Sequence, residues 1–417
     1  MRRTVLFVVT SFWAYGELAI AVEFARRLVG TAYRPLFLIP PSHRRLIAEA
    51  GLDHQIMIPR SGKLNRILLR DIQHVHRPAL VVLADSLNFD LCEQHYGLRR
   101  ADLSVFDCPV GTFDDFSWGR PGAWLDTYGF RAAIESDLTL DGLAFRLRPC
   151  PLNNPRAAGQ EPGSYSYPLL GEVERIPTSA RTAVRREHGL RPGRPVVLVT
   201  GATWQQMHTA YPHVTGFVDA CHRLLERLLE RLLDHADMLA VGPRLVFHDR
   251  TPRGFHHLGP VEPDRFRSLA QVVDVHVSSN IVSVSLHRLV LGGVPSVVLM
   301  NSLHKRDGRQ WWGASAPPPA LTPFAQRLVD EVDEIYPYRM FPVGWYYFLD
   351  SLLADNPFTD LVPQVEIFDE ERAAATVLSL LEPGPEREKT ANARERYLAD
   401  LRALPDVPTI VGELAGG

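Results

Sequence analysis

The stretch TVLFVVTSFWAYGELAIAVEFARRL, residues 4–28, decides the fold. Its first six residues are apolar and largely β-branched, which predicts a strand buried on both faces. Tyr15-Gly16 then supplies a turn, and Leu18, Val22, Ala25 and Leu28 recur at helical spacing, predicting a helix over 17–29. A strand that runs through a turn into a helix brings the strand's carboxyl end beside a helix N-terminus, where α/β proteins keep their chemistry. The first charged side chain of that helix is Glu17.

Outward from this unit the alternation continues. Strand signals at RPLFLIP, HQIMIP, PALVVLAD and LSVFDCP are separated by helical stretches at 42–50 and 63–74. Short, continuously apolar strands between helices predict a parallel sheet covered on both faces. From about Pro149 the periodicity fails, and RPCPLNNPRAAGQEPGSYSYPLLG has the Pro, Gly and Asn content of a connecting segment. A second series then opens with RPVVLVTGATW and passes through a long helix, the strands MLAVGP, FHHLGP and VDVHVSSN, the helix SVSLHRLVLGG and the strand PSVVLMN. The tandem RLLERLLERLL is too short for a coiled-coil seam and reads as one amphipathic helix. The fold class is therefore α/β: two Rossmann-like, doubly wound domains facing a central cleft where ligand binding is expected.

Composition removes other classes. The chain has 417 residues, 46% hydrophobic and 22% charged, with a net charge of -3, which excludes a disordered chain and gives no basic surface for nucleic acid. No run of 18 apolar residues is present, so no membrane span is expected. Basic residues before an apolar run imitate a signal peptide at the N-terminus, but that run is short and bulky aromatics stand where a cleavage site needs small residues. Cys92, Cys108, Cys150 and Cys221 are scattered, and the sixteen histidines form no H-E-x-x-H pattern. Neither a metal site nor a disulfide framework is predicted, and a cytoplasmic location is expected.

Three segments carry a resemblance to the GT-B glycosyltransferases, particularly the nucleotide-sugar enzymes of natural-product metabolism. GELAIAVEFARRL, Gly16 to Leu28, is similar to that family's GHxxPxLxLAxxL segment, with Glu17 at the position of the catalytic histidine and Ile20 where proline is common. Residues 256–299 resemble the base-binding loop, phosphate-binding turn and GVP strand; NIVSVS, Asn280 to Ser285, falls on the HGGxNS turn and keeps only the last serine. VLVTGATWQQ resembles the first strand and polar turn of the nucleotide-binding domain, and the segment from Val365 onward resembles the closing helices.

The resemblance implies an acceptor domain at 1–170, a nucleotide-sugar domain at 171–390, and a C-terminal helix at 391–417 that crosses back onto the first domain. It implies transfer of a sugar from a nucleotide-diphosphate sugar, often a UDP sugar, to a small-molecule acceptor. No cofactor beyond that co-substrate and no metal are implied, and a homodimer is compatible with it. Two alternatives stay open: a sugar-nucleotide epimerase of the same fold, and a nucleotide-binding or partner-activating homologue without activity.

Particular residues follow from these segments. Glu17 is the candidate base and Asp85, at the end of PALVVLAD, its carboxylate partner, although a helix N-terminus alone lowers a carboxyl pKa and dipole complementation is Glu17's alternative role. Thr200, Gly201, Thr203 and Trp204 are expected at one lip of the donor site, Asn280, Ser283 and Ser285 at its diphosphate, and His257 near the nucleobase. Serine N-capping is the competing role for the phosphate turn. Trp345 and Tyr346 are expected against the sugar, although aromatics at such density also form cores. Trp13, Tyr15, Asp114 and Trp118 are the acceptor-side candidates; the acidic and aromatic loop from Asp107 to Trp124 suits an amine-bearing or sugar-like acceptor. HKRDGRQWWGASAPPPALTP is expected to be a polar, Pro-rich loop.

Overall fold

The computed structural model describes residues 2–13, 15–118, 124–133, 140, 142–171, 178–208, 211–313 and 318–416. Two compact units emerge. The first comprises Met1–Ala123, Ala133–Gly171 and Leu398–Gly417, and the second Trp124–Ala132 and Glu172–Tyr397. Residues 172–177, which follow the expected boundary at 170/171, lie outside the described residues.

In the first unit seven parallel strands run in the spatial order Asp53–Ile56, Tyr33–Ile39, Arg3–Val8, Leu80–Leu83, Val110–Phe113, Phe145–Cys150 and Ser164–Pro168. The order of winding reverses between Arg3–Val8 and Leu80–Leu83, which pair Val8 with Leu83. The opening stretch forms Arg3–Val8 and the helix Gly16–Arg26, whose Leu18, Ala21, Val22, Phe24 and Ala25 are buried. Phe7 stacks on Phe37 at 4.9 Å, and Phe24 meets Phe113 edge-on at 5.3 Å. Truncating fully buried Phe24 to Ala would cost about 3–5 kcal/mol.

Two sequence expectations fail here. LSVFDCP is not a strand: Arg100–Val105 is a 3₁₀ helix, and the strand follows at Val110–Phe113. The supposed connecting segment contributes the sheet strands ending at Cys150 and starting at Ser164. Their ladder runs from Arg146–Ser164 to Cys150–Pro168, so the prolines stand at strand ends where a missing N–H is tolerated.

The second unit's main sheet has six parallel strands in the order Phe255–Leu258, Asp237–Val241, Val196–Thr200, Val275–Ser278, Ser296–Met300 and Gln364–Glu366. Its winding reverses between Val196–Thr200 and Val275–Ser278. RLLERLLERLL lies in the single helix Pro212–Leu232, which buries Leu224, Leu225, Leu228, Leu229 and Leu232 on one face. Beside this sheet stands a four-stranded one of Tyr338–Met340, Gly344–Trp345, Trp124–Thr127 and Phe130–Ala133. Gly344 has φ +111°, and a Cβ there would lie 2.6 Å from the Asp126 carbonyl oxygen, so only glycine fits.

The Pro-rich insert is only partly a loop. Leu303–Arg306 and Arg309–Trp312 form an antiparallel hairpin closed by Asp307-Gly308, both left-handed at φ 51° and 72°. Asp-Gly is favoured there because both central residues of a tight hairpin turn need positive φ. Residues 314–317 of the insert lie outside the described residues. No described helix is long and apolar enough to cross a membrane.

Candidate functional site

Each main sheet offers polar groups at the carboxyl ends of the strands flanking its winding reversal, the place where open α/β sheets bind ligands. In the first unit, Asp85 lies two residues beyond the strand Leu80–Leu83 and N-caps the helix Ser86–Leu91, its Oδ1 accepting from the Asn88 N–H at 2.6 Å. The Asn88 side chain in turn donates to Glu17 Oε1 at 2.8 Å. One asparagine thus ties the two candidate carboxylates to a single short helix. Glu17 Oε2 is buried and finds no hydrogen-bond partner among the described residues.

Burial and the neighbouring Asp85 raise the Glu17 pKa to about 7, overriding the hydrogen bonds from its own backbone and from Asn88. The dipole expectation is therefore corrected: lost hydration and a like charge outweigh the helix N-terminus. Burial likewise raises Asp85 to about 6, while hydrogen bonds from the Asn88 backbone and the Trp118 side chain oppose the rise.

A third carboxyl completes the cluster. Asp115, two residues beyond the strand Val110–Phe113, is 5% exposed, and its Oδ1 has no hydrogen-bond partner among the described residues. Burial first, then Asp85, Glu17 and Asp114, hold it well above the usual carboxylate range. The sequence favoured its neighbour Asp114, which the fold partners internally. Asp114 is fully buried, accepting from the Trp118 N–H at 2.9 Å and from Arg148 Nε at 3.2 Å. Trp118 is only 2% exposed and supports Asp85 from within the core. These two acceptor-side candidates are thus enclosed by the fold, with Asp114 committed to Arg148 and to the Trp118 backbone. Asp114 and Asp115 both follow the strand, and what separates them is the tertiary contact of Asp114 with Arg148, which a run of two aspartates conceals.

Trp13 and Tyr15 remain on the turn ahead of Glu17. Trp13 is half-buried with its ring edge-on to Phe12 at 4.7 Å, and exposed Tyr15 lies 4.8 Å from the His43 ring. Phe12, exposed and stacked on His95 at 4.3 Å, is a neighbouring aromatic that sequence reasoning missed.

The second unit's strand ends are built differently. Thr200 Oγ1 lies 2.9 Å from Nε2 of buried His276, whose pKa burial depresses to about 3, leaving a neutral ring bound to the hydroxyl. Gly201 lies against Gly242, whose φ is +113° and whose Cβ would fall 2.1 Å from the Gly201 carbonyl oxygen. Thr203 is exposed and Trp204 half-buried on the short helix Thr203–His208. Gln205, next to Trp204, is a buried clip between the Ala202 N–H and the Phe341 carbonyl. His257 is on the strand Phe255–Leu258, as FHHLGP predicted, and its Nε2 stands 3.0 Å from the Gly242 carbonyl.

Two helix N-termini of this unit invite an anion, and only one is open. At Tyr346–Leu353 the Asp126 carboxylate accepts from the N–H groups of Tyr346, Tyr347 and Phe348 at 2.6, 3.2 and 3.1 Å. Trp345 Nε1 donates to Thr127 at 3.1 Å, and Tyr346 is buried beneath Arg339. Trp345 and Tyr346, expected against the sugar, thus make internal contacts, with Tyr346 buried and Trp345 half-buried. At Val284–Leu291, Ser283 occupies the N-cap without making a side-chain cap bond, and both Ser283 and Ser285 keep part of their surface accessible. Asn280 Oδ1 accepts from the Val282 N–H at 3.1 Å and shapes the turn. The first-turn N–H groups of a helix lack intrahelical partners, so this end with its two hydroxyls suits an anion.

No three His, Cys, Asp or Glu side chains among the described residues are placed to hold a metal ion. The doubly wound pair of sheets matches solved GT-B structures along nearly the whole chain. These include the glycosyltransferase SnogD from Streptomyces nogalater (13% identity, covering 100% of this chain and 99% of that one, TM-score 0.52). The spinosyn rhamnosyltransferase SpnG complexed with thymidine diphosphate matches at 14% identity (99% and 100%, TM-score 0.53). Arabidopsis thaliana UGT89C1 complexed with quercetin matches at 12% identity (100% and 99%, TM-score 0.57). At such identities the likeness establishes the fold, which is GT-B. The chain belongs to a family of unknown function (DUF6365), whose model matches residues 24–416. No curated protein matches it.

Proposed function

We propose that the protein is a glycosyltransferase that moves a sugar from a nucleotide-diphosphate sugar to a small-molecule hydroxyl. The observation that carries this reading is Glu17: fixed through one oxygen by Asn88, its other oxygen buried without a partner among the described residues, and its pKa raised to about 7. A carboxylate poised near neutral pH is suited to general-base work. Glu17 takes the proton of the acceptor hydroxyl, the oxygen attacks the anomeric carbon, and the bond to the diphosphate breaks with its electron pair leaving on the nucleotide. Direct displacement of this kind inverts the anomeric centre.

Asp85 raises the proton affinity of Glu17. The N-terminus of Val284–Leu291, with Ser283 and Ser285, receives the diphosphate as its charge grows. The SpnG structure with thymidine diphosphate and the UGT89C1 structure with quercetin support this class of donor and acceptor. Location in the cytoplasm and a homodimer remain compatible with the reading. Calorimetric titration with UDP, thymidine diphosphate and their sugars tests it: binding of a diphosphate well below millimolar concentration is expected, and failure of every member to bind removes the reading. Feeding the bound nucleotide sugar alone separates transfer from epimerisation, because a transferase leaves the sugar unisomerised without an acceptor.

A further inference from the structure

Asp115 is more than transfer to an ordinary hydroxyl requires. Glu17 already supplies a base and Asp85 a charge to tune it, yet a third buried carboxyl lies with them and leaves Oδ1 without a partner among the described residues. The charged groups acting on Glu17 and Asp115 are all carboxylates: Asp85, Asp114 and each other's company. The nearby guanidinium of Arg148 is committed to Asp114, at 3.2 Å, and to Glu161, at 2.7 Å. Unpartnered buried carboxyls are costly, and fold stability alone selects against them. An incoming cation supplies what the chain withholds.

We infer that Asp115, with Asp85, forms the binding site for a protonated amine carried by the acceptor, next to the hydroxyl that Glu17 deprotonates. This rests on the glycosyltransferase reading for the word acceptor, and for the amine on the two adjoining strand ends that carry Asp85 and Asp115, with Asn88 tying the Asp85 helix to Glu17. Phe12 and Tyr15, exposed on the turn ahead of Glu17, provide aromatic faces of the kind that also attract ammonium groups. An ammonium between the carboxyls favours their ionised forms, so its arrival leaves Glu17 ready to accept a proton. Amine-free acceptors bring no charge to offset the mutual repulsion of these carboxyls. The substrate class is thus an amino-substituted polyol, such as an aminocyclitol or amino sugar.

The test compares 2-deoxystreptamine with its di-N-acetyl derivative by calorimetry near pH 7.5, using the full chain, with UDP and thymidine diphosphate titrated into the same preparations. The free diamine should bind at least about 30-fold more tightly than the acetylated form, since a desolvated charge pair is lost on acetylation. Asp115→Asn, isosteric with the unpaired carboxyl, should remove most of that ratio while leaving diphosphate affinity within about twofold, which also reports that the variant is folded. The wild-type ratio needs no variant and stands if Asp115→Asn does not fold. Equal affinity for the two compounds, including no binding of either, overturns the inference, as does a ratio that survives Asp115→Asn. Diphosphate binding without amine discrimination spares the glycosyltransferase reading; amine discrimination without diphosphate binding removes that reading and leaves a cation site.

Discussion

The two sheets share one topology and finish their central strands in opposite ways. In the first unit the strand ends carry Glu17, Asp85 and Asp115, with Glu17 Oε2 and Asp115 Oδ1 buried and unbonded among the described residues. In the second unit Thr200 is bound to Nε2 of His276, whose neutral ring leaves only an uncharged Nδ1 buried without a partner among the described residues, while Asn280 is bound to its own turn, Gln205 to two backbone groups, and Asp126 closes one helix N-terminus. Polar groups that a fold leaves unsatisfied are a cost that structure alone does not explain, whereas satisfied ones shape a rigid cradle. The first region therefore reads as the place of proton chemistry and the second as a binding surface built from a helix end and two hydroxyls.

The largest effect that would break this contrast comes from Glu17→Gln. It keeps size and the Asn88 contact but removes basicity, so turnover should fall roughly 100-fold or more with diphosphate affinity unchanged. Asp85→Asn should lower turnover as well, and the double variant should lose far less than the product of the two, because the carboxyls act as one unit. Next in size, Ser283→Ala with Ser285→Ala should weaken nucleoside diphosphate binding by about 1.5–3 kcal/mol and leave nucleoside binding nearly unchanged. Calorimetry reads both, and equal losses for diphosphate and nucleoside would move the phosphate elsewhere.

A stability measurement sharpens the same comparison. The folded-state pKa of Glu17, about 7, exceeds its unfolded value of 4.5, so the folded chain holds the extra proton. That contribution to stability is complete below about pH 4.5 and is lost as pH rises through 7. Glu17→Gln removes the loss, and at pH 8 the variant should be more stable than the parent by about 1–3 kcal/mol, an advantage that vanishes at pH 4.5. Chemical denaturation at the two pH values checks the sign. Smallest of all, Thr200→Val should cost about 0.5–1.5 kcal/mol of stability by orphaning His276 and leave diphosphate affinity within about twofold.

Much of this was legible in residues 4–28 and in PALVVLAD, because buried parallel strands are continuous apolar runs and a glycine turn before an amphipathic helix is a local signal. The pairing of Glu17 with Asp85 came from the resemblance of these two segments to the GT-B glycosyltransferases. Other features depended on tertiary contacts. Ser164–Pro168 joins the sheet although the Pro- and Gly-rich segment that holds it resembles a linker, since an outer position tolerates its single terminal proline. Asp126 lies 220 residues from the helix it caps, a separation that no local pattern reveals. Asp307-Gly308, by contrast, was a local hairpin signal within reach, obscured by the prolines that follow it.

The claim that the first unit performs the proton transfer rests most directly on the pH dependence of single turnover with a saturating nucleotide sugar and acceptor. The account predicts a rate that rises through one ionisation between about pH 6 and 8 in the parent, and a rate about 100-fold lower that lacks this limb in Glu17→Gln. A Glu17→Gln protein that turns over at the parental rate with the same ionisation would contradict it.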